Sequence, residues 1–372
     1  MKQKITSIAF IAITVLASCK KDLTQQDNLQ TNSIEPKNEV STLGTGGGIN
    51  SPTRTVLSEQ ISETSPYGPS LPAGYKIKIK IWADYTDGQV NTVSVPVDND
   101  YVLIGGGAMI TNSSNNFNGV NALLYASYPV NDGTFKTYVA KSKDHEEVHS
   151  HRLWAYAIGM KVYRYFPHPG PNWENGYQYY DADSIKQFLS IVSNTSSTMN
   201  HPQIGTGSFA YNLFPLSSGA KLTWGSGSGM LLVSNYFPYA GGIYPIQDGG
   251  AIASGKDHIV PTSGNIESSC LLINTTAFYN KIGFHLDVKY NEYGENTNGR
   301  HSFSITQSVQ SGYLLTGVGA RSLYNEYSTP GRLLFAMAPT NGTTAIAASK
   351  DHLQSDLSGG LIINTVGIKA LD

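Results

Sequence analysis

Apolar and polar residues alternate along Lys76-Ile77-Lys78-Ile79-Lys80-Ile81-Trp82, and this period of two predicts a strand with one buried face. The alternation returns in Ile158-Gly159-Met160-Lys161-Val162-Tyr163 and in Ile282-Gly283-Phe284-His285-Leu286-Asp287-Val288. A second kind of strand runs into glycine. It reads Tyr101-Val102-Leu103-Ile104-Gly105-Gly106-Gly107-Ala108 and Tyr313-Leu314-Leu315-Thr316-Gly317-Val318-Gly319-Ala320, with a degenerate middle version at Ile204-Gly205-Thr206-Gly207-Ser208. Glycine inside a strand marks a bulge or a close backbone approach. A third kind closes on proline, from Leu123 to Pro129, Leu231 to Pro238 and Leu333 to Pro339. Each third strand leads to the same polar segment: Lys143-Asp144-His145, then Lys256-Asp257-His258, then Lys350-Asp351-His352.

A pattern kept in register three times predicts a repeat architecture. The units run over about 74–157, 158–281 and 282–372, and together they make one β domain, 74–372. The last residues, Thr365 to Leu371, repeat the first strand a fourth time, so the array can close on itself and hide its sheet edges. The expected fold is all-β: three sheets of about four strands each around a pseudo-threefold axis, a three-repeat β-prism. In this arrangement the chain resembles vitelline membrane outer layer protein I and jacalin-type lectins. The resemblance is architectural and spans the folded part, and it implies a lectin-like role. A β-trefoil is the rival architecture, but its units are much shorter.

The N-terminus changes the picture of location. Lys2 and Lys4 precede an apolar run from Ile5 to Leu16 that is too short to span a bilayer, which reads as a signal peptide over 1–18. It ends in Leu16-Ala17-Ser18-Cys19, which resembles the lipobox of bacterial lipoproteins. That resemblance implies that Cys19 becomes the acylated (palmitate-bearing) first residue of the mature chain. Lys20-Lys21-Asp22 resembles the surface-export signal of Bacteroidetes lipoproteins, which implies a lipid-anchored, surface-exposed place on the outer membrane. Residues 19–73 are rich in Thr, Ser, Asn, Gln and Gly and close on Pro66, Pro69 and Pro72, the composition of a flexible, disordered tether. With Cys19 acylated, Cys270 has no intramolecular partner, and beside Leu271 and Leu272 it reads as a small buried apolar residue.

Composition narrows the partners. The net charge of -2 does not favour nucleic acid, and charged residues make up only 14% of the chain. The 38 glycines and 23 tyrosines suit half-buried strands and tight turns. Long loops on a rigid scaffold are where binding usually sits. The densest aromatic cluster is Trp173, Tyr177, Tyr179 and Tyr180, inside a segment rich in Pro, Gly, Asn and Tyr from Tyr165 to Asp183.

Two patterns invite catalytic readings. His145-Glu146-Glu147-Val148-His149 matches the zincin H-E-x-x-H: on a helix, His145 and His149 would hold zinc while Glu146 activates water. Against this, His145 shares its position with His258 and His352, where Ile259-Val260-Pro261 and Leu353-Gln354-Ser355 follow. The three Asp-His pairs also suggest aspartate orienting histidine, yet no nucleophile motif accompanies them. Their polar side chains suit turn N–H groups and backbone carbonyls, and secondarily the hydroxyls of a bound sugar.

The expectation is therefore a surface-anchored, non-catalytic protein that needs no cofactor and binds a glycan or other cell-surface ligand. Lys143, Asp144, His145, Lys256, Asp257, His258, Lys350, Asp351, His352, Trp173 and Tyr177 are the candidate contacts. The alternatives are a zinc-dependent hydrolase at His145, Glu146 and His149, and an adhesion or protein-interaction module docking through 165–183.

Overall fold

Strands dominate the chain from Thr55 onward. The computed structural model describes residues 53–372 except 67, 69–70, 118–119, 146–148, 169, 199–202, 208, 211, 225–228, 238–249, 258–262, 325–330 and 352–358. Cys19, Glu146, His258 and His352 lie outside the described residues, as does the side chain of Asp257.

In chain order the elements begin with β1 (Thr55–Glu63), β2 (Tyr75–Gly88), β3 (Val90–Pro96), β4 (Val102–Thr111), β5 (Ala122–Pro129), β6 (Thr137–Asp144) and β7 (His151–Tyr165). A short insertion follows: β8 (Trp173–Glu174), β9 (Tyr177–Tyr179) and α1 (Ala182–Lys186). Next come β10 (Leu189–Thr198), β11 (Gln203–Gly205), β12 (Leu213–Trp224), β13 (Met230–Tyr236), β14 (Ile252–Asp257), β15 (Gly264–Asn274) and α2 (Thr275–Ile282). The chain finishes with β16 (His285–Asn296), β17 (Ser302–Ser308), β18 (Leu314–Tyr324), β19 (Arg332–Pro339), β20 (Thr344–Asp351) and β21 (Gly359–Leu371).

Three sheets share one internal order. The first runs β1-β2-β7-β4-β19-β20-β17, the second β10-β15-β12-β5-β6-β3 and the third β11-β14-β13-β18-β21-β16. Take β2 to β7, β10 to β15 and β16 to β21 as three blocks of six strands. In each block the first, sixth and third strands form half of one sheet, and the fourth, fifth and second form half of the next. The third block returns its second half, β19-β20-β17, to the first sheet. The expected four strands per sheet become six or more because two blocks meet in every sheet.

The seams are alike too. Ala108, Ala220 and Ala320 face Met337, Ser127 and Asn235 across the block boundaries. Each third strand of a block carries an irregularity, between Leu103 and Gly105, Pro215 and Ser217, and Leu315 and Gly317. There the three strands approach one another closely. A Cβ on Gly105 would collide with the Thr316 carbonyl oxygen, and one on Gly317 with the Leu216 carbonyl oxygen. Glycine is the residue that lets two backbones come this near. β4, β13 and β19 are buried along their whole length. Such strands lose the polar half of the alternation.

Four expectations need correction. The middle glycine strand is not Ile204 to Ser208: the register match to Gly105 and Gly317 is Ser217 in β12, where serine stands in for glycine. The expected boundary at 157/158 falls inside β7, which pairs with β2 on one side and β4 on the other and so completes the first block. Ile282 ends a helix rather than starting a strand. Asn274 caps that helix by accepting the Ala277 N–H at 2.9 Å, and Gly283 closes it with φ of 100°. Finally, the stretch expected as tether over 19–73 contains β1, which pairs with β2 from Thr55↔Ala83 to Glu63↔Lys76. Ser65 and Ser62 then tie this region to Asp372 and Ala370 at the chain's end. Glu59 and Glu63 facing Lys80 and Lys76 favour the added strand.

Candidate functional site

The three polar segments occupy matching places. Lys143, Lys256 and Lys350 face Leu123, Leu231 and Leu333 at the ends of β6, β14 and β20. Two of these side chains reach partners within the domain. Lys350 Nζ donates to Asn121 Oδ1 of the first block at 2.8 Å. Lys143 Nζ lies 5.3 Å from the Trp224 ring centroid in the second block. Burial lowers the pKa of both Lys143 and Lys256. Asp351 meets Arg332 at 2.6 Å, with both side chains 2% exposed.

Asp144 has a different partner. His151 Nδ1 lies 3.1 Å from Asp144 Oδ1, and His151 Nε2 lies 2.7 Å from Ser142 Oγ. This is the connectivity of a Ser-His-Asp triad, but Ser142 is fully buried and His151 nearly so. The register-matched place in β20 explains it. There Arg332 Nε donates to Ser349 Oγ at 3.2 Å and its Nη1 reaches Asp351. Histidine in one block and arginine in another thus tie the same Ser and Asp positions together. Burial lowers the His151 pKa, against the pull of Asp144.

His145 follows β6 directly and is buried, and its backbone N–H donates across to the Asn121 carbonyl at 2.9 Å. His149 is exposed. Among the described residues no three His, Cys, Asp or Glu side chains gather as metal ligands would.

The richest constellation covers the outer face of the first sheet. The alternation of β2 puts Lys76, Lys78 and Lys80 on that face, with Ile77, Ile79 and Ile81 in the core. In register, Lys78 lies directly opposite Lys161 of β7, a like-charge pair that destabilises a sheet unless bridged. The hairpin β8–β9 supplies the bridge. Its two-residue turn is Asn175-Gly176, with φ of 49° and 85°, the pattern of a type I′ turn. β9 extends the edge of β7 beyond β4, pairing Tyr179 with Tyr163 and Tyr177 with Tyr165. Glu174 then reaches Lys78 and Lys161 at 3.2 Å each and accepts the Tyr163 hydroxyl at 3.0 Å.

Burial pushes the Glu174 carboxyl up, but the hydrogen bonds and charges of Lys161 and then Lys78 outweigh it and hold the pKa at about 2. Lys161 lies 3.6 Å from the Tyr179 ring centroid and Lys76 lies 3.8 Å from that of Tyr177, favourable cation–π placements. Asp100 pairs with Lys161 at 2.8 Å, and Asp98 with both Arg54 and Lys80. Among the described residues the cations Arg54, Lys76, Lys78, Lys80 and Lys161 interleave with the carboxylates Glu59, Glu63, Asp98, Asp100 and Glu174 on this face.

Of the two aromatic candidates, Tyr177 is buried in this stack while Trp173 is 43% exposed, close to the 42% of Phe166. Phe166 is fixed to the hairpin by its N–H bond to the Gly176 carbonyl. The structure thus brings Trp173 and Tyr177 together on one hairpin. The roles of His151, Arg332, Lys161 and Glu174 escape a sequence reading because each depends on a cross-strand partner. The Lys76-Lys78-Lys80 alternation, with the aromatic cluster at Trp173 and Tyr177, was the signal that could have pointed to this face.

Glu174 carries a testable consequence. Its folded pKa lies below the ordinary value of 4.5, so its contribution is complete above pH 4.5 and fades as the pH falls toward 2. Glu174→Gln is expected to cost about 1 kcal/mol or less at pH 7, since solvent screens a partly exposed pair. Urea midpoints of the two proteins should converge between pH 4.5 and pH 2, and a gap independent of pH would contradict the bridge.

Compared with known proteins, the chain matches no protein-family model and no curated protein sequence.

Proposed function

We propose that this chain is a surface-anchored, non-catalytic carbohydrate-binding protein built on a three-repeat β-prism with pseudo-threefold symmetry. The common strand order of the sheets, the hand-over of half of each block to the next sheet and the matching irregularities in β4, β12 and β18 support the prism. The signal-like N-terminus and Cys19 support a lipid anchor on the outer membrane, facing the surface. No helix of the described residues is long and apolar enough to cross a membrane.

One observation carries the binding role: Trp173 stands exposed on a short, tightly turned hairpin, with Phe166 exposed and tied beside it, next to a face of interleaved lysines and carboxylates. Exposed aromatic rings give flat apolar surface at low entropic cost, and a sugar ring offers the matching C–H face. Interleaved, ion-paired carboxylates and lysines supply acceptors and donors for hydroxyls, and they favour a neutral glycan over a polyanion. The Lys-Asp-His segments belong to the frame in this reading, and Trp173 with its hairpin to the ligand.

The test is a glycan array with the mature chain, followed by calorimetry on any hit. Trp173→Ala is expected to weaken binding about tenfold or more, the scale of a truncated aromatic anchor, with unchanged thermal stability. Cys19→Ser is expected to move the protein from the membrane to the soluble fraction. An array with no binder, or a hit indifferent to Trp173, would remove the carbohydrate reading.

A further inference from the structure

The third sheet carries a pocket where the first sheet is filled. In the first sheet, Tyr85 and Trp154 face each other in register, with ring centroids 4.6 Å apart. Arg152, two residues from Trp154, stacks on Tyr85 at 4.0 Å and forms a two-pronged pair with Asp87 at 2.9 and 3.0 Å. Counting from the matched irregularities at Gly105 and Gly317, the same places in the third sheet hold Gly294 for Tyr85, Ile362 for Trp154, Gly360 for Arg152 and Asn296 for Asp87. Two large rings and a guanidinium have become two glycines and an isoleucine.

The vacated space is an open surface pocket of about 410 Å³, lined by residues that include Gly294, Asn296, Leu323, Gly360 and Ile362. That is within the usual range for a small-molecule site. Strand glycines cost stability unless something uses the room they leave. Gly294 does not need to be glycine for its backbone. Its φ is not positive, and a Cβ there would meet Ile362 Cγ1 at 3.2 Å and no backbone atom nearer than 3.7 Å.

We propose that this pocket binds a small planar aromatic ligand of indole size, its ring taking the room that Tyr85 and Trp154 fill in the first sheet. Ile362 and Leu323 give apolar walls, and the open glycine backbone gives a flat floor. Asn296, on the same strand face as Gly294, provides an amide for a ring N–H or hydroxyl. Among the described residues that line the pocket none is basic, so a neutral or cationic ring suits it better than an acidic one. The site is separate from the hairpin face and stands whether or not that face binds glycans.

Saturation-transfer NMR and titration with indole, and in parallel with methyl glucoside, test the proposal on the full mature chain. Wild type is expected to bind indole with a dissociation constant of about 1 mM or tighter and to ignore the glucoside at that site. Gly294→Tyr, which restores the first sheet's residue, is expected to weaken indole binding at least tenfold while the thermal midpoint holds. Absence of indole binding by wild type, equal binding by the variant, or a glucoside signal lost in its place would each overturn the proposal.

Discussion

Gly317→Ala is expected to unfold the domain or leave it only marginally folded. The added methyl would collide with the Leu216 carbonyl oxygen and press on Leu216 C and Ser217 Cα, at 3.0 and 3.1 Å. All three atoms are backbone, and they belong to β12, which is itself held on both sides, by β15 and β5. A flexible side chain could swing away, but a strand fixed in this way cannot. The neighbouring residues Leu216, Ser217 and Thr316 are fully buried, so no slack remains nearby. Overpacking in tight cores costs about 1–3 kcal/mol, and a collision with a fixed backbone belongs at or beyond the top of that range. Gly170→Ala is the control: nothing lies within 4 Å of its Cβ, and its φ is not positive. Urea denaturation of the two variants should differ by at least about 3 kcal/mol. A stable Gly317→Ala protein would mean that the three glycine-type strands do not converge as described.

The same convergence shows what the sequence could and could not reveal. Glycine recurring in a strand announced close approach, and Gly105 and Gly317 make it. The announcement failed in the middle block because Ser217, also small, hid the match, and Ile204 to Ser208 offered a decoy richer in glycine. Alternation identified β2 and β7 as strands of one kind. It could not say that they are neighbours in one sheet rather than starts of successive units, because pairing is a non-local property that period-two patterns do not encode. The hairpin face was half legible. Trp173 and Tyr177 stood out by composition, while the bridge from Glu174 to Lys78 and Lys161 joins residues 96 and 13 positions apart and needed coordinates. The equivalence of Lys143, Lys256 and Lys350 was legible, since their register against Leu123, Leu231 and Leu333 is the same. The partners of the neighbouring aspartates were not. Asp144 takes His151 from β7, and Asp351 takes Arg332 from β19, two different solutions at one carboxylate position.

That difference sets the second large expected effect. Asp351→Ala should cost about 3–5 kcal/mol, because it strands the Arg332 guanidinium in a site only 2% exposed. The remaining bonds of Arg332, to the carbonyls of Arg300, His301 and Ser349 and to Ser349 Oγ, leave one Nη1 donor unpaired and cannot neutralise its charge. Removing both charges should recover most of the loss, since a buried pair replaced by apolar residues of similar size is often neutral. The second block suggests the replacement: Met230 stands where Arg332 stands, so Arg332→Met combined with Asp351→Leu is the variant to make. Asp144→Ala should cost less, about 1–2 kcal/mol, because its partner is a histidine whose charged form burial disfavours and its own side chain is 15% exposed. Chemical denaturation of the four proteins at pH 7 measures the order. If the polar segments were ligand contacts first and framework second, Asp351→Ala and Asp144→Ala would leave stability nearly untouched and alter binding instead. Equal, small losses in both would therefore return these segments to the list of ligand-binding candidates.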